Sequence, residues 1–366
     1  MKDLSENLHH IPEIFLTAEQ MLKEGYDQAA LLLYECVIES EKDHLSERLA
    51  ISHYRILKIQ QYDKQNLEEI AIRFASYRTR LPEAYALDSL LLLIKIYFAQ
   101  SKWDETMNYI EELFQLTQAM YSNPYSDETN LFRPLVYYYG MSFLWKHAVY
   151  DSQNLFEESQ ECIPHYQDLS WFEGLNKEGQ KVVINFQKFA HANSLSLSIK
   201  LGNFTSIPEY IKYLKQNPNE IIEGLNTLLE SSNQYSWNIQ EWLDEFKIEI
   251  EQFQHISITM QSLNDAQSGL IQDIYHYRRY SIFFYKFGIY CMRHQNIREG
   301  ISYILQSLEL CLVFNDKEGI ISGLSCIEPH RSFLNKNQEI KLKRLSEEVK
   351  KNEKNNGYMG FVPSFG

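Results

Sequence analysis

The sequence predicts an all-α chain wound as a right-handed superhelix of helical hairpins, and three observations predict it. Apolar residues recur at helical spacing through most of 366 residues. Glycine (14) and proline (9) are scarce for that length, which favours long helices over turn-rich sheets. Small residues recur where paired helices must touch, with large residues beside them filling the seam.

The pattern is plainest in Ser281–Phe314, SIFFYKFGIYCMRHQNIREGISYILQSLELCLVF, two helices joined by His294-Gln295-Asn296. Phe287, Gly288 and Cys291 lie on the first seam face; Gly300, Ile304 and Ser307 lie on the second. This resembles the tetratricopeptide (TPR) hairpin, whose repeat is about 34 residues.

Earlier hairpins repeat the pattern. Pro12 opens a helix that ends at Gly25-Tyr26-Asp27, followed by Ala29, Leu33 and Cys36 as the expected seam. Residues 45–80 hold a degenerate pair with Ala71 and Ala75 as the small positions. Residues 83–118 break at Ser101-Lys102, with Thr106, Ile110 and Leu113 on the second seam. Trp103-Asp104 echoes Tyr26-Asp27, an aromatic followed by an acid in a helix's first turn, where the dipole favours it. Residues 133–160 place Tyr139-Gly140 and Phe143 on one helix and Ser152, Phe156 and Ser159 on the next, with Tyr150-Asp151 at the turn. The small positions Ala29, Thr106, Ser152 and Gly300 are separated by whole multiples of a 34–46-residue unit. Pro164, Pro208 and Pro218 punctuate residues 165–260 as expected helix starts. Residues 335–355 form a charged helix, and NNGYMGFVPSFG is an apolar tail without helical period. The expected organisation is divergent TPR-like hairpins over 1–80, a peptide-sensing superhelix over 81–335, and a charged helix with extended tail over 336–366.

A net charge of −14 makes the chain alone a poor partner for nucleic-acid phosphates. The five cysteines form no CxxC pair and read as reduced thiols of a cytoplasmic protein. No apolar leader opens the chain, and no stretch reaches the roughly 18 uninterrupted apolar residues of a membrane span.

No phosphate loop, HExxH or GxSxG is present, so no catalytic residue, metal ligand or cofactor is expected. The histidines are scattered, and His9-His10 reads as a solvated pair. The remaining chemistry is that of a groove. Stacked hairpins expose the first helices of successive repeats on one side, where amides pair with a peptide backbone and tyrosines form pockets. Candidate positions are Tyr137, Met141 and Leu144 in one hairpin, and Tyr285, Ile289 and Met292 in another. Between them lie Asn185, Lys188, Asn193, Asn226 and Asn233, and before the last hairpin Tyr275, Arg278 and Arg279, an arginine being suited to a ligand carboxylate. For each residue, core packing or helix-to-helix bonding is the plainer alternative.

Four stretches carry a wider likeness: AALLLYECVIESEKDHLSERLAISHYRILKI, LSWFEGLNKEGQKVVINFQKFAHANSLSLSI, IPEYIKYLKQNPNEIIEGLNTLLESSNQY and FGIYCMRHQNIREGISYILQSLELCLVFND. Together they resemble the C-terminal region of TPR-containing helix-turn-helix regulators of Bacillus and related Firmicutes, within the RRNPP group of peptide-pheromone receptors. The resemblance spans about residues 12–335. It implies a cytoplasmic, homodimeric receptor for a short signalling peptide. It implies control of DNA only through a helix-turn-helix domain missing from this chain. The alternatives are a Rap-like protein that binds and dephosphorylates or inhibits a response regulator, with Gln60 or Gln61 placing a water, and a passive TPR scaffold. The tail, Tyr358–Phe365, is a further candidate as a mimic of the ligand.

Overall fold

The computed structural model describes residues 10–41, 46–61, 67–123, 131–263, 271–314 and 316–355; side chains are described for these except 256–263, 271–277, 313–314 and 350–355. The described residues are helical without strands, and consecutive helices pack as neighbouring pairs, an all-α helical-repeat fold. The chain divides into two compact units, residues 1–194 and 195–366.

The first unit is a run of hairpins. These are α1 (Ile11–Lys23) with α2 (Asp27–Glu41), α3 (Glu47–Gln60) with α4 (Leu67–Ala75), α5 (Glu83–Ala99) with α6 (Trp103–Ser122), and α7 (Leu135–Ser152) with α8 (Phe156–Gln167). Helix α9 (Lys177–Lys200) follows and runs through the unit boundary. The second unit continues with α10 (Ile207–Gln216), α11 (Ile221–Tyr235), α12 (Gln240–Asp244), α13 (Lys247–Leu263), α14 (Ile271–Arg293), α15 (Ile297–Phe314), α16 (Lys317–Ile327) and α17 (Lys336–Asn355).

One turn geometry recurs. Gly25, Ser101, Asn154, Gly202 and Gln295 all have positive φ, between 56° and 91°. At each, two amides close back on the preceding helix, as in Gly25 N–H to Leu22 O and Tyr26 N–H to Met21 O. Gln295 to Met292 and Asn296 to Cys291 repeat it. This is the Schellman closure, which satisfies carbonyls that a helix end leaves open.

Five residues after four of these left-handed residues stands a small buried residue: Ala30, Thr106, Ser159 and Gly300. The turn sets the register, because each of these amides bonds to the carbonyl four residues earlier and starts the second helix. Two seam assignments are thereby corrected. Ala29 is exposed while Ala30 is buried, so the second-helix seam is Ala30, Tyr34 and Val37 rather than Ala29, Leu33 and Cys36. Ser152 is exposed at the end of α7, and Ser159 is the small residue; Tyr150-Asp151 belongs to the last turn of α7 rather than to the connection. Pro164 lies inside α8 rather than at a helix start. Pro208 and Pro218 stand in the first turns of short helical segments, where a missing N–H costs nothing.

The α14–α15 hairpin has its expected seam. Phe287, Cys291, Ile304 and Ser307 are buried, and Ser307 Oγ donates to the Ser281 carbonyl at 2.7 Å. In the first unit, Gly140 on α7 is flush against Phe186 on α9; a Cβ there would lie 2.5 Å from the ring.

Candidate functional site

The first helices α3, α5 and α7 of the first unit share a face built from rings and charges. Register puts Tyr85, Asp88 and Lys95 on one side of α5, and Arg55 and Lys58 on one side of α3. Arg133 and Tyr137 bracket the start of α7.

The contacts form two runs that meet where Phe132 and Arg133 adjoin in the chain. The Lys58 ammonium lies 5.9 Å from the Tyr54 ring centre, and Tyr54 meets Tyr85 edge to face at 5.7 Å. Tyr85 meets Phe132 at 5.0 Å. The Arg133 guanidinium lies 4.6 Å over Tyr137, close enough for a cation–π contact. Tyr137 abuts Tyr138, whose hydroxyl donates to Asp88 at 2.7 Å. Burial, then Asp88, pushes the Tyr138 phenol far up, so it stays a proton donor.

Arg55 also lies on this face, 5.4 Å from the Tyr85 ring centre, but its charge is matched. It grips Glu19 of α1 through both carboxylate oxygens, at 2.8 and 2.6 Å, while Tyr34 donates to the same group at 2.6 Å. Burial pushes the Glu19 carboxyl up, but these hydrogen bonds outweigh it and hold the group below its usual range. Lys58, Lys95 and Arg133, by contrast, have no carboxylate in ion-pair reach among the described residues. Lys95 is pushed down from the usual amine value by desolvation first, then by Arg133, with Lys58 adding and Asp88 opposing. Three cations are therefore gathered on one face against one carboxylate, Asp88, which is in ion-pair reach of none of them.

The candidates read from sequence are placed in different ways. Tyr137 and Met141 are half-buried on α7, and Tyr137 belongs to the face just described. On α9, Asn185 and Lys188 are exposed, and Asn193 donates to the buried Tyr166 hydroxyl at 2.9 Å. In the second unit, Asn226 and Asn233 donate to the backbone carbonyls of Arg279 and Lys286, at 3.3 and 2.9 Å. Their amide oxygens are buried without partners among the described residues. Arg279 pairs with Glu223 at 2.8 Å and Lys286 with Glu230 at 2.7 Å. The two Glu-x-x-Asn steps on α11 thus make two like rungs against α14, seven residues apart. These asparagines and Arg279 join helices. Arg278 is exposed, 3.8 Å from Asp316. Tyr285 and Ile289 are half-buried against the apolar core around α15. Tyr275 and the tail Tyr358–Phe365 lie outside the residues whose side chains are described.

One pair invites a catalytic reading and does not support it. Ser159 Oγ lies 2.8 Å from His147 Nδ1, but both are buried, and the hydroxyl is also 3.0 Å from the His147 carbonyl. The pair ties α7 to α8. Gln61 donates its amide to the Lys58 carbonyl at 2.8 Å. No group of three metal-ligating side chains occurs among the described residues. No described helix is long and apolar enough to cross a membrane. All five cysteines are unpaired thiols, and burial raises Cys162 and Cys311 to about 11 and Cys291 to about 12.

Sequence reasoning missed Lys58, Lys95 and Arg133. Their spacing of 37 and 38 residues is that of one hairpin to the next, a signal that was open to reading. No protein-family model and no curated protein matches the chain.

Proposed function

We propose that this chain is a binding module for a short peptide, acting as the sensor of a regulatory protein rather than as a catalyst. One observation carries the reading. Tyr85, Phe132, Tyr137, Lys58, Lys95 and Arg133 form one face across consecutive hairpins: two half-buried tyrosines and the exposed Phe132 beside cations that no described carboxylate pairs. Such a surface offers stacking area at low entropic cost and fixed charge for orientation. An extended peptide crosses one hairpin after another and gathers both.

The likeness to RRNPP-type regulators supports the rest of the proposal: a signalling peptide as ligand, a homodimer, a cytoplasmic setting and gene control through a separate helix-turn-helix domain. Fluorescence polarisation with labelled peptides of five to eight residues tests the reading. Saturable binding at micromolar concentration, weakened several-fold by Y137A, supports it. A library without a saturable binder contradicts it.

A further inference from the structure

The charge on this face specifies its ligand further. The chain as a whole is acidic, 49 acids against 35 bases, so a cationic ligand would be the first expectation. The first unit resolves otherwise at this place. Arg48, Arg55, Arg73, Arg78 and Lys102 each hold a glutamate, as an acidic chain readily allows. Among the described residues Lys58, Lys95 and Arg133 do not, although their helices are neighbours and their charges repel.

Among the described residues two acids face this cluster, and one of them is neutralised by a cation. Glu19 is held in the fork of Arg55 and by Tyr34. Asp88 accepts from the neutral Tyr138 hydroxyl and keeps its charge, so three cations stand against one carboxylate. The rings of Tyr54 and Tyr137 face two of the cations without cancelling their charge. Gathering like charges costs free energy that a bound anion returns. A guanidinium beside an ammonium suits a carboxylate, which accepts two hydrogen bonds from the one and one from the other.

We infer that Lys58, Lys95 and Arg133 form a carboxylate-binding subsite on the shared face of α3, α5 and α7, so that the peptide ligand is anionic where it meets this unit. The inference rests on the peptide reading above. The carboxylate belongs either to the ligand's C-terminus or to an aspartate or glutamate within it. Tyr85 and Tyr137 flank the residues next to it.

The intact chain, with lysines dimethylated using carbon-13, reports this directly. The Lys58 and Lys95 signals are assigned with K58R and K95R. Three capped tetrapeptides of one sequence serve as probes: the free C-terminal acid, the C-terminal amide, and the amide with an internal aspartate. The expected result is a saturable shift of both lysine signals with the acid, the aspartate peptide or both, and none with the neutral amide. Whichever anionic probe responds identifies the source of the carboxylate. R133Q and K95Q, both at exposed positions, then weaken the response by about tenfold each. Equal shifts from the neutral amide, silence with both anionic peptides, or an equal response to inorganic phosphate alone would overturn the subsite. Peptides that bind by polarisation while Lys58 and Lys95 stay silent sink the subsite and leave the receptor reading standing.

Discussion

Gly288 and Gly300 face each other backbone to backbone across the α14–α15 hairpin. A Cβ on Gly300 would lie 2.6 Å from the Gly288 carbonyl oxygen, and one on Gly288 would lie 2.8 Å from that of Gly300. Neither clash is relieved by moving a flexible side chain, because the obstructing atom is main chain. G300A is therefore expected to destabilise by roughly 1–3 kcal/mol despite alanine's better helix propensity. Thermal unfolding decides it; an unchanged midpoint would show that the hairpin is not held by this approach.

The recurrent turn gives an asymmetric pair of predictions. Gly25 has φ of 84°, so G25A forces a side chain into the left-handed region at a cost of about 1 kcal/mol. Gln295 already bears that strain at φ of 66°, so Q295G is expected to be neutral or stabilising within about 0.5 kcal/mol. Chemical denaturation of both variants checks the signs.

His53 supplies a pH dependence. It is buried, stacks on Tyr77 at 4.1 Å between centres, and its Nε2 has no partner among the described residues. Burial, then Arg73, lowers it from 6.5 to about 4. The unfolded chain thus binds a proton that the folded chain refuses between pH 6.5 and 4. Stability should fall as pH drops through that window, by up to about 3 kcal/mol from this group, and level off for it below. H53F, which keeps the stacking and lacks the proton site, should flatten the profile between pH 6.5 and 4 relative to wild type. An unchanged slope would contradict the assignment.

The Glu19–Arg55 fork joins α1 to α3 and is half-buried. R55M leaves the Glu19 carboxylate with Tyr34 alone and should cost roughly 2–3 kcal/mol by denaturant unfolding. The double variant E19Q/R55M should recover part of that loss.

Much of the fold was legible because seam residues have distinctive sizes. Gly288, Gly300, Ile304 and Ser307 stand where spacing placed them. Ala29 failed because Ala30 is equally small, and one residue turns a helix by about 100°. Ser152 failed because a small residue beside a turn looks like a seam. The register-setting residue had no signature, being glycine, serine, asparagine or glutamine in different hairpins. The candidate site was less legible for a different reason. Asn226 and Asn233 look like free amides until their partners on α14 are known, and nothing in a string of letters says which of many lysines and arginines lack an acid.

Amide hydrogen exchange of the intact chain, with and without a saturating peptide from the polarisation screen, tests the central claim most directly. The account predicts slowed exchange concentrated in α3, α5 and the start of α7. Protection confined to other helices, with these three unchanged, would contradict it.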